Sequence, residues 1–206
     1  IKNFLDKGIS ANISFSTGDE FVIDLRNRVG GADDGDCRRP GSVINFPSGE
    51  GFIAPYEGLD EEAKSYGKSK THGIIPFVYK DEVVKGKVSY NNFISFFSKN
   101  SKLNSSINSF FDKGFSRRNI AELGIGCNPN AQVTGNMFED EKAGVHIAYG
   151  MSSHLGGKIE SDIHFDLVFA KGCPIEAEQL RLFFKDGSFV DLVKDSEIQY
   201  ELLSKE

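Results

Sequence analysis

The chain reads as an α+β protein dominated by sheet: a single domain of antiparallel hairpins with an amphipathic helical insertion. Three observations predict it. Short runs alternate apolar and polar residues between Gly/Asp turn signals, one Ser/Asn/Phe-rich stretch changes to helical spacing, and no repeat, low-complexity tract or proline-rich linker divides the 206 residues. A chain of that length buries roughly 70% of its extended surface, enough for one substantial core.

Near the N-terminus, Ile9, Ala11, Ile13 and Phe15 alternate, Thr17-Gly18-Asp19 supplies a turn, and an apolar run follows from Phe21 to Leu25, which predicts a hairpin. Residues 28–40 are polar and aperiodic. Asp33, Asp34 and Asp36 lack the ligand spacing and closing glutamate of a calcium loop, so a solvated loop is expected. Further hairpins are expected at residues 83–88 and at 181–190, where Asp186-Gly187 is a turn dipeptide. In residues 91–118, Phe93, Phe96 and Phe97, then Ile107, Phe110 and Phe111, recur at helical spacing, which predicts one or two helices covering the sheet.

A formal net charge of -6 argues against a nucleic-acid surface, which needs basic residues against phosphate. No apolar run approaches the ~20 residues of a membrane span and no secretory leader is visible. The helical stretch has no markedly basic face, so membrane attachment is not expected. Cys37, Cys127 and Cys173 are odd in number and widely spaced, which predicts free thiols in a reducing, cytoplasmic setting, most of them buried as small hydrophobes. The sequence starts at Ile1, as expected of part of a longer product.

Residues 119–166 concentrate Glu122, Glu141, His146, His164 and Asp166 without a cysteine co-ligand. Oxygen and nitrogen donors at this density suit a hydrolytic metal centre better than a structural zinc. On a strand, Asp162, His164 and Asp166 share one face, so an imidazole and a carboxylate aim at one point. His146 points away from Val145 and Ile147 by the same rule. Glu122 sits in an apolar, glycine-rich segment, where an unpaired carboxylate costs several kcal/mol. Glu50, between two glycines, is similar; Glu141, in a charged turn, reads on its own as solvated.

Four strings, NFPSGEGFIAPYEG from Asn45, NIAELGIGCNPNA from Asn119, DEKAGVHIAYG from Asp140 and SDIHFDLVF from Ser161, resemble in order the motifs of the aminopeptidase T and aminopeptidase S metallopeptidases. The resemblance implies that residues 1–206 form the catalytic, C-terminal part of a longer architecture acting on peptides, with a homodimer as an expected assembly. It implies two divalent ions, zinc or cobalt, on Glu50, Glu122, Glu141, His146, His164 and Asp166, with Glu50 or Glu122 as the base. Cys127 stands where a threonine is expected, and Ser152-Ser153-His154 where an aromatic often follows the His-Ile-Ala motif, leaving His154 or Tyr149 as substitutes. A ring-cleaving relative implies the alternative of one iron on His146, His164 and Asp166. A third alternative is a non-catalytic domain that binds metal or peptide.

Overall fold

The computed structural model describes residues 1–42 and 44–203. In chain order the elements are α1 (Lys2–Lys7), β1 (Gly8–Phe15), β2 (Glu20–Asp24), β3 (Gly31–Asp33), β4 (Glu50–Ile53), α2 (Asp60–Tyr66), β5 (His72–Tyr79), β6 (Glu82–Ser89) and β7 (Asn92–Phe97). They continue with α3 (Ser101–Phe111), β8 (Ile120–Gly126), α4 (Met137–Asp140), β9 (Val145–Gly150), β10 (His164–Val168), β11 (Ala177–Phe184), β12 (Phe189–Lys194), β13 (Glu197–Ile198) and α5 (Tyr200–Leu203). The strands form an eight-stranded sheet, ordered β13-β12-β11-β1-β2-β5-β6-β7, and a five-stranded sheet, ordered β10-β9-β8-β4-β3. Every pairing is antiparallel, so the sheet-dominated α+β class holds. No helix among the described residues is long and apolar enough to cross a membrane.

The first and last predicted hairpins form as β1–β2 and β11–β12. A register shift between Gly8 and Ser10 turns Ile9 outward, against the predicted alternation. Residues 83–88 are one strand shared by two hairpins. Its turns lie outside the expected segment, at Lys80-Asp81 and Tyr90-Asn91, all four residues having positive φ.

The predicted helix at Phe93–Phe97 is strand β7 instead. Lys87 pairs with Ser95 and Val88 with Phe93, which leaves Ile94 as the extra residue of a bulge. A bulge flips the alternation by one residue, so Phe93 and Phe96, three apart, both face the core and mimic helical spacing. The helix begins only at Ser101, capped by the Asn100 side chain on the amides of Lys102 and Leu103. It buries Leu103, Ile107 and Phe111, and Phe111 stacks on Phe96. No cysteine is fully buried: Cys37 is exposed, Cys127 and Cys173 are half-buried, and all three are free.

The register of the five-stranded sheet sorts its side chains. Opposed residues in antiparallel strands share a face, and the pairs His164↔Gly150, Asp166↔Ala148, Glu122↔Ala148, Gly124↔His146, Glu50↔Gly126 and Asp33↔Glu50 run across all five strands. Asp33, Glu50, Glu122, His146, His164 and Asp166 therefore lie on one face, spaced by glycine and alanine. The other face presents Ile53, Leu123, Ile125, Val145 and Ile147 to the core shared with the larger sheet.

Candidate metal centre

Close approach on the polar face depends on missing side chains. A Cβ on Gly124 would stand 1.8 Å from His146 Nε2, so the imidazole lies across the glycine of the neighbouring strand. A Cβ on Gly126 would meet the Glu141 carbonyl at 2.3 Å, so this glycine lets the segment after α4 fold over β8. Ahead of α4, the Asp140 carboxylate accepts the amides of Thr134 and Gly135, which fixes the turn leading to Glu141.

Glu122 joins two groups. Its Oε2 lies 3.1 Å from His164 Nε2, which is 3.6 Å from Asp166 Oδ1; its Oε1 lies 3.7 Å from His146 Nε2, which is 3.5 Å from Glu50 Oε2. One ligand atom from each of Glu122, His164 and Asp166 fits within 4.8 Å of the others. His164 Nδ1 is 2.7 Å from the Met151 carbonyl, which can only accept, so Nδ1 carries a hydrogen and Nε2 is the nitrogen that would offer a lone pair to an ion once its own proton is lost. The carboxylate oxygens Glu50 Oε2 and Asp166 Oδ1 are buried without a hydrogen-bond partner. Buried orphan oxygens beside imidazole nitrogens are the environment a divalent cation satisfies.

Behind this cluster lies Lys142, wholly buried. Its Nζ donates to Glu50 Oε1 and Glu141 Oε1, each at 2.6 Å, and stands 3.3 Å from Asp33 Oδ2 as an ion pair without hydrogen-bond alignment. Burial pushes the Glu50 carboxyl up to about 7, although His146 and Lys142 pull it down. Burial would raise Glu122 too, but the two imidazoles outweigh it and hold it at about 2. At 3.7 Å, beyond hydrogen-bond reach, His146 acts on Glu122 through charge. Burial disfavours both imidazolium ions, yet carboxylates lift His146 to about 9 and His164 to about 10. With no ion bound, the imidazoles serve as the cations.

The cluster opens into a cleft of about 620 Å³ walled by Phe52, Met137, Phe138, His154 and Leu155. The His154 ring meets His164 edge to face, 4.7 Å between centroids. Glu57 fixes the segment that carries His154: it accepts the Ser152 hydroxyl and the Lys158 amide, and it pairs with Arg28.

Glu50, Glu122, His146, His164 and Asp166 thus converge, and Glu141 joins through Lys142. Asp162 departs: it precedes β10, is exposed and pairs with Arg117. Tyr149 faces Phe93 and Phe111 in the core, whereas His154 reaches the cleft. Sequence reasoning missed Lys142, concealed in an Asp-Glu-Lys string that reads as a solvated turn, and placed Asp33 in a solvated loop. Charge balance was the signal available, because acids in apolar surroundings require a cation.

No protein-family model matches the chain and no curated protein matches it. Solved structures that share its fold include the following two. Wild-type AmpT from Thermus thermophilus is 15% identical, with 96% of this chain and 52% of that one covered and a TM-score of 0.68. The 2,5-dihydroxypyridine dioxygenase from Pseudomonas putida KT2440 is 16% identical, with 96% and 56% covered and a TM-score of 0.71. The chain spans about half the length of each.

Proposed function

We propose that this chain is the metal-binding part of a metal-dependent aminopeptidase that removes N-terminal residues from peptides. The observation that carries this reading is the division of Glu122, one oxygen toward His164 and Asp166 and the other toward His146 and Glu50. A carboxylate placed between two donor groups is suited to bridging two ions. Glu122, His164 and Asp166 would hold one, and Glu122 with His146 a second, with Glu50 beside it. Zinc or cobalt bound there supplies Lewis acidity and an acidified water.

The chain's own groups supply the rest. Glu50 suits proton transfer because its Oε2 is buried without a hydrogen-bond partner and lines the cleft, whereas the two oxygens of Glu122 are directed at His146 and His164. Glu50 Oε2 takes a proton from the attacking water and returns it to the leaving amine. The acid-lined cleft attracts the substrate's α-ammonium, and Met137 and Phe138 offer its side chain an apolar wall. The same reading places this chain as the C-terminal half of a longer, cytoplasmic, homodimeric protein.

A second reading is favoured by Lys142. Its ammonium already gives Asp33, Glu50 and Glu141 a shared cation, so these acids are not by themselves evidence for a second ion. His146, His164 and Asp166 would then be the two-histidine, one-carboxylate set for a single iron in a ring-cleaving dioxygenase, with His146 moving toward the compact group of Glu122, His164 and Asp166. Elemental analysis of the purified chain, with leucine p-nitroanilide hydrolysis and oxygen uptake on 2,5-dihydroxypyridine, separates the readings. Two zinc or cobalt ions with hydrolysis are expected; one iron with oxygen uptake overturns the peptidase, and metal without turnover leaves a binding domain.

A further inference from the structure

β10 is an edge strand whose own residues form the centre. Its inner edge pairs Phe165 with Tyr149 and Leu167 with Ile147. The flanking bonds, Met151 N–H to the Ile163 carbonyl and Phe169 N–H to the Val145 carbonyl, both 2.7 Å, fix the parity. The main-chain groups of residues 163, 165, 167 and 169 thus face β9, and those of His164, Asp166 and Val168 face outward. Among the described residues no strand pairs with that outer edge.

The edge has space along it. A groove of about 280 Å³ runs beside Phe165, Asp166, Leu167 and Val168. It shares Asp166 with the acidic cleft, and it shares Phe77, Val78, Phe165 and Leu167 with an apolar groove of about 330 Å³. Phe165 and Val78 are 45% and 43% exposed there. The edge therefore divides a carboxylate-rich cleft from an apolar trough, and the groove along it borders both.

We propose that the open edge of β10 docks an extended peptide as an added strand, an inference that rests on the peptidase reading. Strand pairing spaces the backbones about 4.8 Å apart and sends alternate side chains to opposite faces. The peptide's main chain bonds to the outward groups of His164, Asp166 and Val168, the same residues whose side chains supply the ligands His164 and Asp166. Its alternate side chains enter the trough over Phe165 and Leu167, so the preferred peptide is apolar at every second position. Charge complementarity orients it, because its α-ammonium meets the cleft that holds Asp33, Glu50, Glu122, Glu141 and Asp166. A second copy of this chain would satisfy the hydrogen bonds but brings no amino terminus to those acids.

The test is fluorescence anisotropy on the zinc-loaded full chain, with a pentapeptide of alternating leucine and serine, a C-terminal fluorescein, and a first peptide bond reduced to CH2–NH to resist hydrolysis. N-methylation of one alternate set of its amides is expected to weaken binding about tenfold, while methylation of the other set leaves it within about twofold. Val168→Pro removes one outward N–H and leaves the β9 pairs intact, and Phe165→Glu charges the trough; each is expected to weaken binding about tenfold at unchanged zinc content. Equal binding of both methylated peptides, or wild-type affinity in both variants, overturns the proposal. So does a dimer that dissociates in Phe165→Glu while peptide affinity holds, which makes the edge a contact between copies. Edge-dependent binding without leucine p-nitroanilide hydrolysis sinks the peptidase reading alone, and hydrolysis without edge-dependent binding sinks the docking alone.

Discussion

The two ends of the ionisable face handle buried charge differently. At the Lys142 end, three carboxylates surround one fixed ammonium, so each has a cation supplied by the chain itself. At the His164 end, Glu122 and Asp166 face imidazoles whose charge depends on protonation, and Asp166 Oδ1 has no hydrogen-bond partner. One end is a structural ion cluster; the other is arranged to accept a cation from solution. The same sheet face thus carries a permanent cation that fixes geometry and a donor group that could hold an exchangeable one.

Lys142→Met should break this contrast most forcefully. Removing one partner of a buried ion cluster leaves charges uncompensated, at a cost of about 3–5 kcal/mol, measurable by urea unfolding. Adding Glu50→Gln should recover part of the loss, because a neutral amide no longer needs the ammonium. A Lys142→Met chain as stable as wild type would show that water, rather than the lysine, compensates these acids.

His164→Ala attacks the other end, and its main effect should fall on metal affinity. Spreading the roughly 10–16 kcal/mol of a four-ligand zinc site over its ligands gives about 3 kcal/mol each, a little over a hundredfold in affinity. Competition titration with a chromogenic chelator reads this directly. Retention of both metal and hydrolysis by the variant removes the site from consideration.

Much of this was legible in the sequence, for identifiable reasons. Alternation along β1 and β2 and the Asp186-Gly187 turn report local backbone geometry, which is encoded locally. His164 and Asp166 were readable as a pair because two residues on one strand share a face whatever else the chain does. Phe93 and Phe96 misled because a bulge and a helix place residues three apart on the same side, and spacing alone does not separate them. Lys142 was invisible because its burial is decided by Glu50, far away in the chain, and by the closeness that Gly126 permits. His154 was already one of two candidates in the sequence, and what favours it over Tyr149 is that Glu57 fixes its segment beside His164.

Gly124→Ala should sharpen the comparison at smaller cost. The added methyl would occupy the place of His146 Nε2, so the imidazole must move. Overpacking of this kind costs about 1–3 kcal/mol, and the displaced ring should weaken ion binding on the His146 side while leaving Glu122, His164 and Asp166 able to bind. Isothermal titration is expected to show loss of one ion per chain and retention of the other. Loss of both, or of neither, would contradict the assignment of His146 to a separate ion.

The smallest effect, in protons rather than structure, tests whether the imidazoles are the resident cations of the metal-free chain. His146 and His164 rise from an ordinary 6.5 to about 9 and 10, so each contributes stability that is full below pH 6.5 and lost as pH climbs through those values. Glu50, raised from 4.5 to about 7, likewise favours folding when protonated and loses that contribution through neutrality. Glu122 runs oppositely: its carboxylate stabilises above pH 4.5, and that contribution disappears only as pH falls toward 2. At pH 7 the metal-free site thus holds both imidazolium protons and about half of one on Glu50. Zinc binding should expel about two to three protons per chain, measured by titration calorimetry in buffers of different ionisation enthalpy. Apparent affinity should rise between pH 7 and 9, and the melting temperature of the metal-free chain should fall from about pH 6.5 to about pH 10 and level off beyond. Release of no protons at pH 7 would mean that the two imidazoles are already neutral, and that the His164 end balances its carboxylates by another route.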